Sequence, residues 1–202
     1  MTFTNLLDLQ PAARMTSFDL LFSKFEKEYP GFLKRHIAVD HFCMDCVSDE
    51  EYRSCIADLF KANAVSQLYT SFPFPQKPEK EISVIKLKGF PIDFGFLTHH
   101  VIAGFKYLEL SNQDAQNTQK SGIDHVEFAY IAQPGETNGF EFSELYYFFE
   151  KEGFAWKSIK RPSYRFYIYE ICDKAGFKLR FSEEEFLINN IVKNEILYAP
   201  MY

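Results

Sequence analysis

The sequence predicts an α+β fold in which two βαβββ modules form one curved mixed sheet. The predicted order of strand, helix and three strands occurs twice, in residues 36–112 and again in residues 121–182. Each copy begins with an Asp-His pair behind an apolar residue, in IAVDHFCMDC and in GIDHVEFAY. No low-complexity segment or long linker separates the copies, so we expect a single domain over residues 1–202.

A helical section is predicted before the first module, in residues 1–35. Ser17 is a plausible amino-terminal cap for its helix, and Pro30-Gly31 predicts the end of that helix. Apolar residues recur at helical spacing between these signals, at Phe18, Leu21, Phe22 and Phe25. We therefore expect a packing helix here.

The first module is predicted to begin with a strand over residues 37–45. Ser48 then caps a helix in DEEYRSCIADLFKANA. Three strands follow, over residues 65–72, 82–88 and 105–110, and the prolines at 73, 75 and 78 predict a break between the first two of them.

The second module repeats this order from Gly122. FSELYYFFEKEG is its predicted helix, with Ser143 near the start and Gly153 at the end. Three strands are predicted in FAWKSIK, RFYIYEIC and FKLRF. A final helix is predicted in EEEFLINNIVKN, within residues 183–202.

Composition favours a globular protein and excludes several classes of function. Apolar residues make up 47% of the 202 residues, yet no segment approaches the roughly 18 uninterrupted apolar residues that span a membrane. The net charge of −6 argues against binding to nucleic acid or to anionic lipid. The amino terminus shows no basic segment followed by an apolar one, so we expect a cytoplasmic protein.

The four cysteines do not form two paired sets of zinc ligands. Cys43 and Cys46 make a lone C-x-x-C, whereas a zinc ribbon needs a second pair at matching spacing. This pair also lies in a predicted strand, and redox C-x-x-C pairs usually open a helix. Free buried thiols are therefore expected.

The two Asp-His pairs predict one shared concavity. Side chains alternate along a strand, so His41 shares a face with Cys43, and His125 shares a face with Glu127. If the two first strands lie side by side, both imidazoles project into one space. Asp40 and Asp124 should then lie on the opposite faces as local hydrogen-bonding residues.

Three further residues are candidates for this site. Glu109 in KYLELS lies between two leucines that should face the other way, so its carboxylate is expected to point inward with the two histidines. Glu127 is a candidate for an orienting residue or a general base, or else a solvated strand residue. Lys86 points either into the concavity or into solvent. His99-His100 is expected to be an exposed loop.

These residues resemble the vicinal-oxygen-chelate superfamily, which includes glyoxalase I, extradiol dioxygenases, epimerases and bleomycin-resistance proteins. More narrowly, VDHFCMDC, YLEL, GIDHVEF and FKLRFSEEEFLINNIV, in that order, resemble the YecM family over roughly residues 15–195. The resemblance implies a divalent metal, zinc, iron(II) or manganese(II), on His41, Glu109 and His125.

One position departs from the pattern of the superfamily. Aligning KYLELS with FKLRFS places Arg180 where many metal-dependent members carry a fourth ligand, often Glu. Arginine cannot ligate a metal because its guanidinium has no acceptor. Either a three-ligand site keeps open positions and Arg180 binds an anionic oxygen of the substrate, or Arg180 forms an ion pair with Glu109 and no metal binds.

The expected function is that of a metal-binding, enzyme-like protein acting on a small oxygen-bearing carbonyl, enol or diol. Glu127 would move a proton, and Arg180 and Lys86 would hold a substrate anion. Isomerase, lyase and dioxygenase reactions share this scaffold, so the sequence does not separate them. The alternative is a metal-free protein that binds or sequesters a small molecule. The expected partner is a small-molecule ligand, with neither nucleic acid nor membrane, and the expected state is a monomer or homodimer.

Overall fold

The computed structural model describes residues 11–74, 77–88, 107–112, 122–130, 143–160, 167–172 and 178–182. These segments contain four helices: α1 Pro11–Glu28, α2 Phe32–His36, α3 Asp49–Lys61 and α4 Ser143–Lys151. They contain eight strands: β1 Ile37–Cys46, β2 Val65–Phe74, β3 Lys77–Leu87, β4 Tyr107–Asn112, β5 Gly122–Tyr130, β6 Trp156–Lys160, β7 Tyr167–Cys172 and β8 Lys178–Ser182.

The predicted pair of βαβββ modules is confirmed. All eight strands belong to one mixed sheet in the order β2-β3-β4-β1-β5-β8-β7-β6, so the second half of the sheet repeats the first in reverse. The two first strands, β1 and β5, are antiparallel neighbours at the centre. In each module the last strand runs parallel to the first, as β4 does to β1 and β8 to β5.

The helices pack against one face of the sheet and leave the other face for polar residues. Alternate side chains of the central strands join the helices in a single core, including Phe42, Leu108, Val126 and Phe181. The residues between them, among them His41, Glu109, His125 and Arg180, therefore lie on the opposite face. This alternation places every charged candidate of the four central strands on one side of the sheet.

Helix α1 is longer at its amino end than the sequence predicts. It begins at Pro11, so the prediction that Ser17 caps it is wrong. Proline suits a first helical turn because the amide hydrogen that it lacks would have no partner there. The predicted end is confirmed, since the helix ends at Glu28 and Gly31 follows with a φ of 77°.

Helix α1 is docked on the second module through its apolar face. The ring of Phe22 lies 6.0 Å from that of Phe128 on β5 and 5.5 Å from that of Phe149 on α4, between ring centroids. All three side chains are fully buried. The amino-terminal helix is thus part of the main core.

Two proline predictions for the first module are wrong. Pro73 lies inside β2 and Pro78 inside β3, rather than in a break between the two strands. Strand β2 is at the edge of the described sheet, where a missing amide hydrogen is tolerated. The pairing of β3 with β4 begins only at Ile82, so Pro78 removes no hydrogen bond from that ladder.

The remaining helix and strand predictions agree with the structure to within about two residues at most ends, apart from the earlier start of β3. Ser48 caps α3 as predicted, because its Oγ accepts a hydrogen bond from the Glu51 amide at 3.1 Å. The predicted final helix and the His99-His100 loop lie outside the described residues. Within the described part of the chain, no helix has the length and apolar character that a membrane crossing requires.

Candidate metal centre

The central pairing of β1 with β5 brings the two histidines together, as the sequence predicts. The imidazole centroids of His41 and His125 are 5.6 Å apart, with an interplanar angle of 79°. In the strand register His41 pairs with Glu127, and Cys43 pairs with His125. Both histidines are almost completely buried, at 1% and 3% exposure.

A β-bulge precedes each histidine. The register between β1 and β5 skips Asp40, between Val39 and His41, and it skips Asp124, between Ile123 and His125. A bulge inserts an extra residue and redirects side chains, so the strict alternation of faces fails there. The prediction that the two aspartates simply face away from their histidines is therefore wrong, although their predicted role as local hydrogen-bonding residues is confirmed.

Each aspartate holds the ring of the histidine that follows it. The distance from His41 Nδ1 to Asp40 Oδ2 is 2.8 Å, and that from His125 Nδ1 to Asp124 Oδ2 is 2.9 Å. Since a carboxylate only accepts, Nδ1 carries the hydrogen and donates in both cases. The neutral rings thus present the Nε2 lone pair to the shared space, which is the tautomer that metal-binding histidines adopt.

Two glutamates face these Nε2 atoms. Glu127 Oε2 is 3.9 Å from Nε2 of His41 and 3.9 Å from Nε2 of His125. Glu109 Oε2 is 3.9 Å from His41 Nε2, and its other oxygen accepts a hydrogen bond from the Cys43 thiol at 3.6 Å. The ligand atoms of His41, His125 and Glu127 all lie within 4.8 Å of one another, so this group can hold a metal ion.

Arg180 contacts the opposite side of the histidine pair from Glu109. Its Nη1 lies 3.0 Å from His125 Nε2, and its Nε donates to Glu170 Oε2 at 2.8 Å. Among the contacts of the described residues there is none between Arg180 and Glu109. The metal-free alternative predicts an ion pair between Arg180 and Glu109. That prediction is wrong, because Arg180 pairs with Glu170.

The strand register explains why Arg180 and Glu109 differ in surroundings. Glu109 pairs with Cys43 across β4 and β1, and Arg180 pairs with Glu127 across β8 and β5. The two modules therefore align Glu109 with Arg180, as the sequence comparison placed them, and Cys43 with Glu127. The second module thus carries its carboxylate on the first strand instead of the last.

Glu170 is a member of the cluster that the sequence did not suggest. It lies directly opposite Arg180 in the β7 to β8 register and is 8% exposed. The signal was present in YIYEIC, where one acidic residue interrupts an apolar strand. Its partner could be recognised only from the register of two strands that are not contiguous in sequence.

The electrostatic surroundings make the two histidines unequal. Burial lowers the pKa of His41, but its hydrogen bond to Asp40 and the charges of Glu127, Asp40 and Glu109 outweigh burial and raise that pKa above the ordinary value. Burial and the charge of Arg180 hold the pKa of His125 well below its ordinary value. A proton taken up by the pair therefore resides on His41.

Burial and neighbouring charged groups also shift the pKa values of Asp124 and Cys43. Burial opposes ionisation of Asp124, but hydrogen bonds from His125 and Lys178 leave its pKa below the ordinary value. Lys178 Nζ donates to Asp124 Oδ1 at 2.6 Å. Burial, followed by the charge of Glu109, raises the pKa of Cys43 well above its ordinary value, so this residue is a neutral thiol that donates.

Negative charge exceeds positive charge in this cluster. Among the described residues that contact the histidines or one another here, five are carboxylates and two are cationic: Asp40, Glu109, Asp124, Glu127 and Glu170 against Lys178 and Arg180. Three of the five carboxylates, Asp40, Glu127 and Glu170, are buried, so the excess is costly unless a cation compensates it. A protonated His41 offsets one charge, and a divalent metal offsets two.

Lys86 lies farther from the histidines than the other candidates. Its ammonium group is 5.9 Å from the centre of the Tyr107 ring, and the two residues pair across β3 and β4. In the described part of the chain this cation–π contact is its only close polar interaction. The lysine is thus on the same sheet face as Glu109 and two strands away from His41.

No family model and no curated protein matches this sequence. Among solved structures the chain is similar to a structural-genomics protein designated EC4020, with a TM-score of 0.54 and 14% identity over 90% of each chain. At this identity the similarity concerns the fold alone.

Two enzymes with lower structural similarity are also matched. The hydroxyglutarate synthase from Oryza sativa, in complex with 2-oxoadipate, has a TM-score of 0.47 and 12% identity over 86% of this chain and 82% of that one. An extradiol ring-cleaving dioxygenase from B. fuscum has a TM-score of 0.39 and 12% identity over 75% of this chain and 33% of the enzyme.

Proposed function

We propose that this protein binds a divalent metal ion and uses it on a small molecule with adjacent oxygen atoms. The observation that carries the proposal is the arrangement of His41 and His125, whose Nε2 atoms face one shared space. In each ring an aspartate fixes the tautomer that leaves this nitrogen free of hydrogen. Each of the two modules thus directs the Nε2 atom of an oriented histidine toward the same space.

The donor set fits such an ion. Two imidazoles with one carboxylate and open positions suit iron(II), zinc or manganese(II). Ligand atoms on opposite sides of an ion with bonds of about 2.1 Å are at most about 4.2 Å apart. The distances of 3.9 Å from Glu109 to His41 and from Glu127 to both histidines fall within that limit. The ligand atoms of His41, His125 and Glu127 lie within 4.8 Å of one another, so the site must contract by a fraction of an ångström to close around a metal.

Each residue has an assigned task in this proposal. His41, Glu109 and His125 hold the ion, as the resemblance to the vicinal-oxygen-chelate superfamily implies. Bound there, the metal acts as a Lewis acid toward the substrate oxygens. Glu127 would accept a substrate proton, since its Oε2 faces both imidazoles at 3.9 Å from each Nε2. Arg180 binds an anionic oxygen, and Lys86 contributes positive charge at the margin.

The finer relationships belong to the same proposal. The paired modules and the order of VDHFCMDC, YLEL and GIDHVEF support a relative of the YecM family within the superfamily. We infer a cytoplasmic single domain over residues 1–202 as a monomer or homodimer. The reaction class, isomerase, lyase or dioxygenase, is set by the metal and the substrate rather than by the scaffold.

Two glutamate variants test the assigned tasks. Glu109→Gln should weaken zinc binding, measured by competition with a chromogenic chelator, because an amide is a poorer ligand than a carboxylate. Glu127→Gln should retain more of the zinc affinity because its proposed task is proton transfer. If Glu127→Gln loses more zinc affinity than Glu109→Gln, the two tasks are exchanged. If neither affects zinc binding, the ligand assignment is wrong.

One observation favours a second candidate, a metal-free protein that binds a small molecule. The Arg180 guanidinium occupies the His125 Nε2 lone pair at 3.0 Å, which is the atom that a metal would need. In that case the ion pair between Glu170 and Arg180 lines one side of the small-molecule site and stays in place. Retention of a bound small molecule by protein stripped of metal with a chelator would support this candidate over the first.

A further inference from the structure

The contact between Arg180 and His125 uses an atom that can serve only one partner. A neutral imidazole has a single lone pair on Nε2, because Nδ1 already carries the hydrogen that Asp124 accepts. Arg180 Nη1 is 3.0 Å from this nitrogen and is a donor only. A metal on His125 and the hydrogen bond from Arg180 are therefore mutually exclusive.

The guanidinium stays beside the site when that hydrogen bond is broken. Its Nε is anchored to Glu170 at 2.8 Å, and its Nη2 lies 4.0 Å from Asp124 Oδ2. The side chain of Arg180 is 15% exposed, so it is accessible from the solvent side of the sheet. Loss of the contact with His125 thus leaves the Nη1 hydrogen of that contact available to another acceptor beside the histidine.

We propose that Arg180 forms an anion site that becomes available only when a metal has taken His125 Nε2, and that its ligand is a small 2-hydroxy or 2-oxo carboxylate. This inference rests on the proposed metal site. The distance between the guanidinium and the ion favours a short ligand. With a metal–nitrogen bond of about 2.1 Å and 3.0 Å from Nε2 to Nη1, guanidinium and ion are at most about 5 Å apart. A carboxylate with a second oxygen on the adjacent carbon spans both: that oxygen reaches the metal while the carboxylate meets the guanidinium.

The exclusive use of one lone pair couples the metal to the anion. Metal binding frees the guanidinium, so it raises the affinity for the anion. By linkage, the anion raises the affinity for the metal by the same factor. Removal of Arg180 should have opposite effects on the two ligands, since it removes a competitor and a repelling charge from the metal but removes the binding group for the anion.

The test compares Arg180→Gln with the parent protein and with Arg53→Gln, a matched control whose arginine is exposed and pairs with Asp49. Zinc affinity is measured by chelator competition, and glycolate binding to the zinc-loaded and zinc-free proteins is measured by calorimetry. Arg180→Gln should bind zinc several-fold more tightly than the parent and glycolate at least about tenfold more weakly. The double variant Arg180→Gln, Glu170→Gln should behave in the same way if loss of the partner of Glu170 destabilises the single variant.

Two related probes test the ligand class. Methyl glycolate lacks the carboxylate charge, and 4-hydroxybutanoate places its hydroxyl too far from the carboxylate, so both should bind the zinc-loaded parent much more weakly than glycolate. Glycolate binding to the zinc-free parent at equal affinity would overturn the inference, as would unchanged or weaker zinc affinity in both Arg180 variants. Absence of zinc binding in the parent and the variants alike would overturn the proposed metal site as well.

Discussion

Asp124 and His125 are consecutive residues, yet the carboxylate of the first accepts a hydrogen bond from Nδ1 of the second at 2.9 Å. The bulge at Asp124 redirects its side chain, so the carboxylate reaches the imidazole of the next residue on the same strand. Asp40 and His41 repeat the relationship at 2.8 Å in the other module. The repeated element is therefore a bulge that carries an oriented imidazole, rather than a histidine alone.

Replacement of Asp124 by Asn should weaken metal binding about 10- to 100-fold, because an amide no longer fixes the Nδ1–H tautomer of His125. Chelator competition with zinc measures the change. Asp49→Asn is the control, since this exposed aspartate at the start of α3 pairs with the surface Arg53 and lies outside the strands that carry the histidines. Equal zinc affinities for Asp124→Asn and the parent would show that the orienting contact has no effect on the metal.

Metal affinity should rise as the pH increases above the ordinary histidine pKa of about 6.5. The pKa of His41 is raised, so below that pKa the ring carries a proton that a metal must displace. As the pH rises through the His41 pKa this competition ends and the affinity levels off. The lowered pKa of His125 means that it adds no competing proton in this range. Zinc affinity that falls with rising pH would contradict this order of protonation.

Phe22→Ala should lower the free energy of unfolding by about 3 to 5 kcal/mol, since it removes a fully buried ring between α1 and the second module. Urea denaturation followed by circular dichroism measures the loss. Leu20→Ala, on the same helix but 61% exposed, is the control and should change stability by no more than about 0.5 kcal/mol. A similar effect for both variants would mean that α1 does not dock as described.

Ser48→Ala should cost about 1 kcal/mol of stability, because the Glu51 amide loses its acceptor at the start of α3. The carboxylate of Glu51 accepts from the Val47 amide at 2.9 Å, so the two contacts close the helix end together. Urea denaturation is again the measurement. Ser54→Ala, in the exposed middle of the same helix, should leave stability unchanged or slightly higher.

The paired modules could be predicted from the sequence for two reasons. The periodicity of apolar residues in each helix or strand is a local property, and the order of these elements repeats along the chain. The sequence also placed His41, His125 and Glu109 on one face. It failed at Asp40 and Asp124, because a bulge depends on pairing with the neighbouring strand and not on the strand's own pattern. The same limit applies to Pro78, which is tolerated in β3 only because β4 ends before it.

The partner of Arg180 is a second feature that the sequence did not predict. The metal-free alternative pairs Arg180 with Glu109, the equivalent residue of the other module, but the observed partner is Glu170 on β7. Strand register decides this choice, because Glu170 lies directly across from Arg180. Charged residues that meet across a sheet cannot be paired from the periodicity of single strands.

The most direct test of a metal centre is the metal content of protein purified without a histidine tag, before and after reconstitution. We predict about one equivalent of zinc, iron or manganese per chain after reconstitution. The His41→Ala, His125→Ala double variant should lose it, with its far-ultraviolet circular dichroism unchanged. Less than about a tenth of an equivalent in the reconstituted parent, or equal metal in the double variant, would contradict the account.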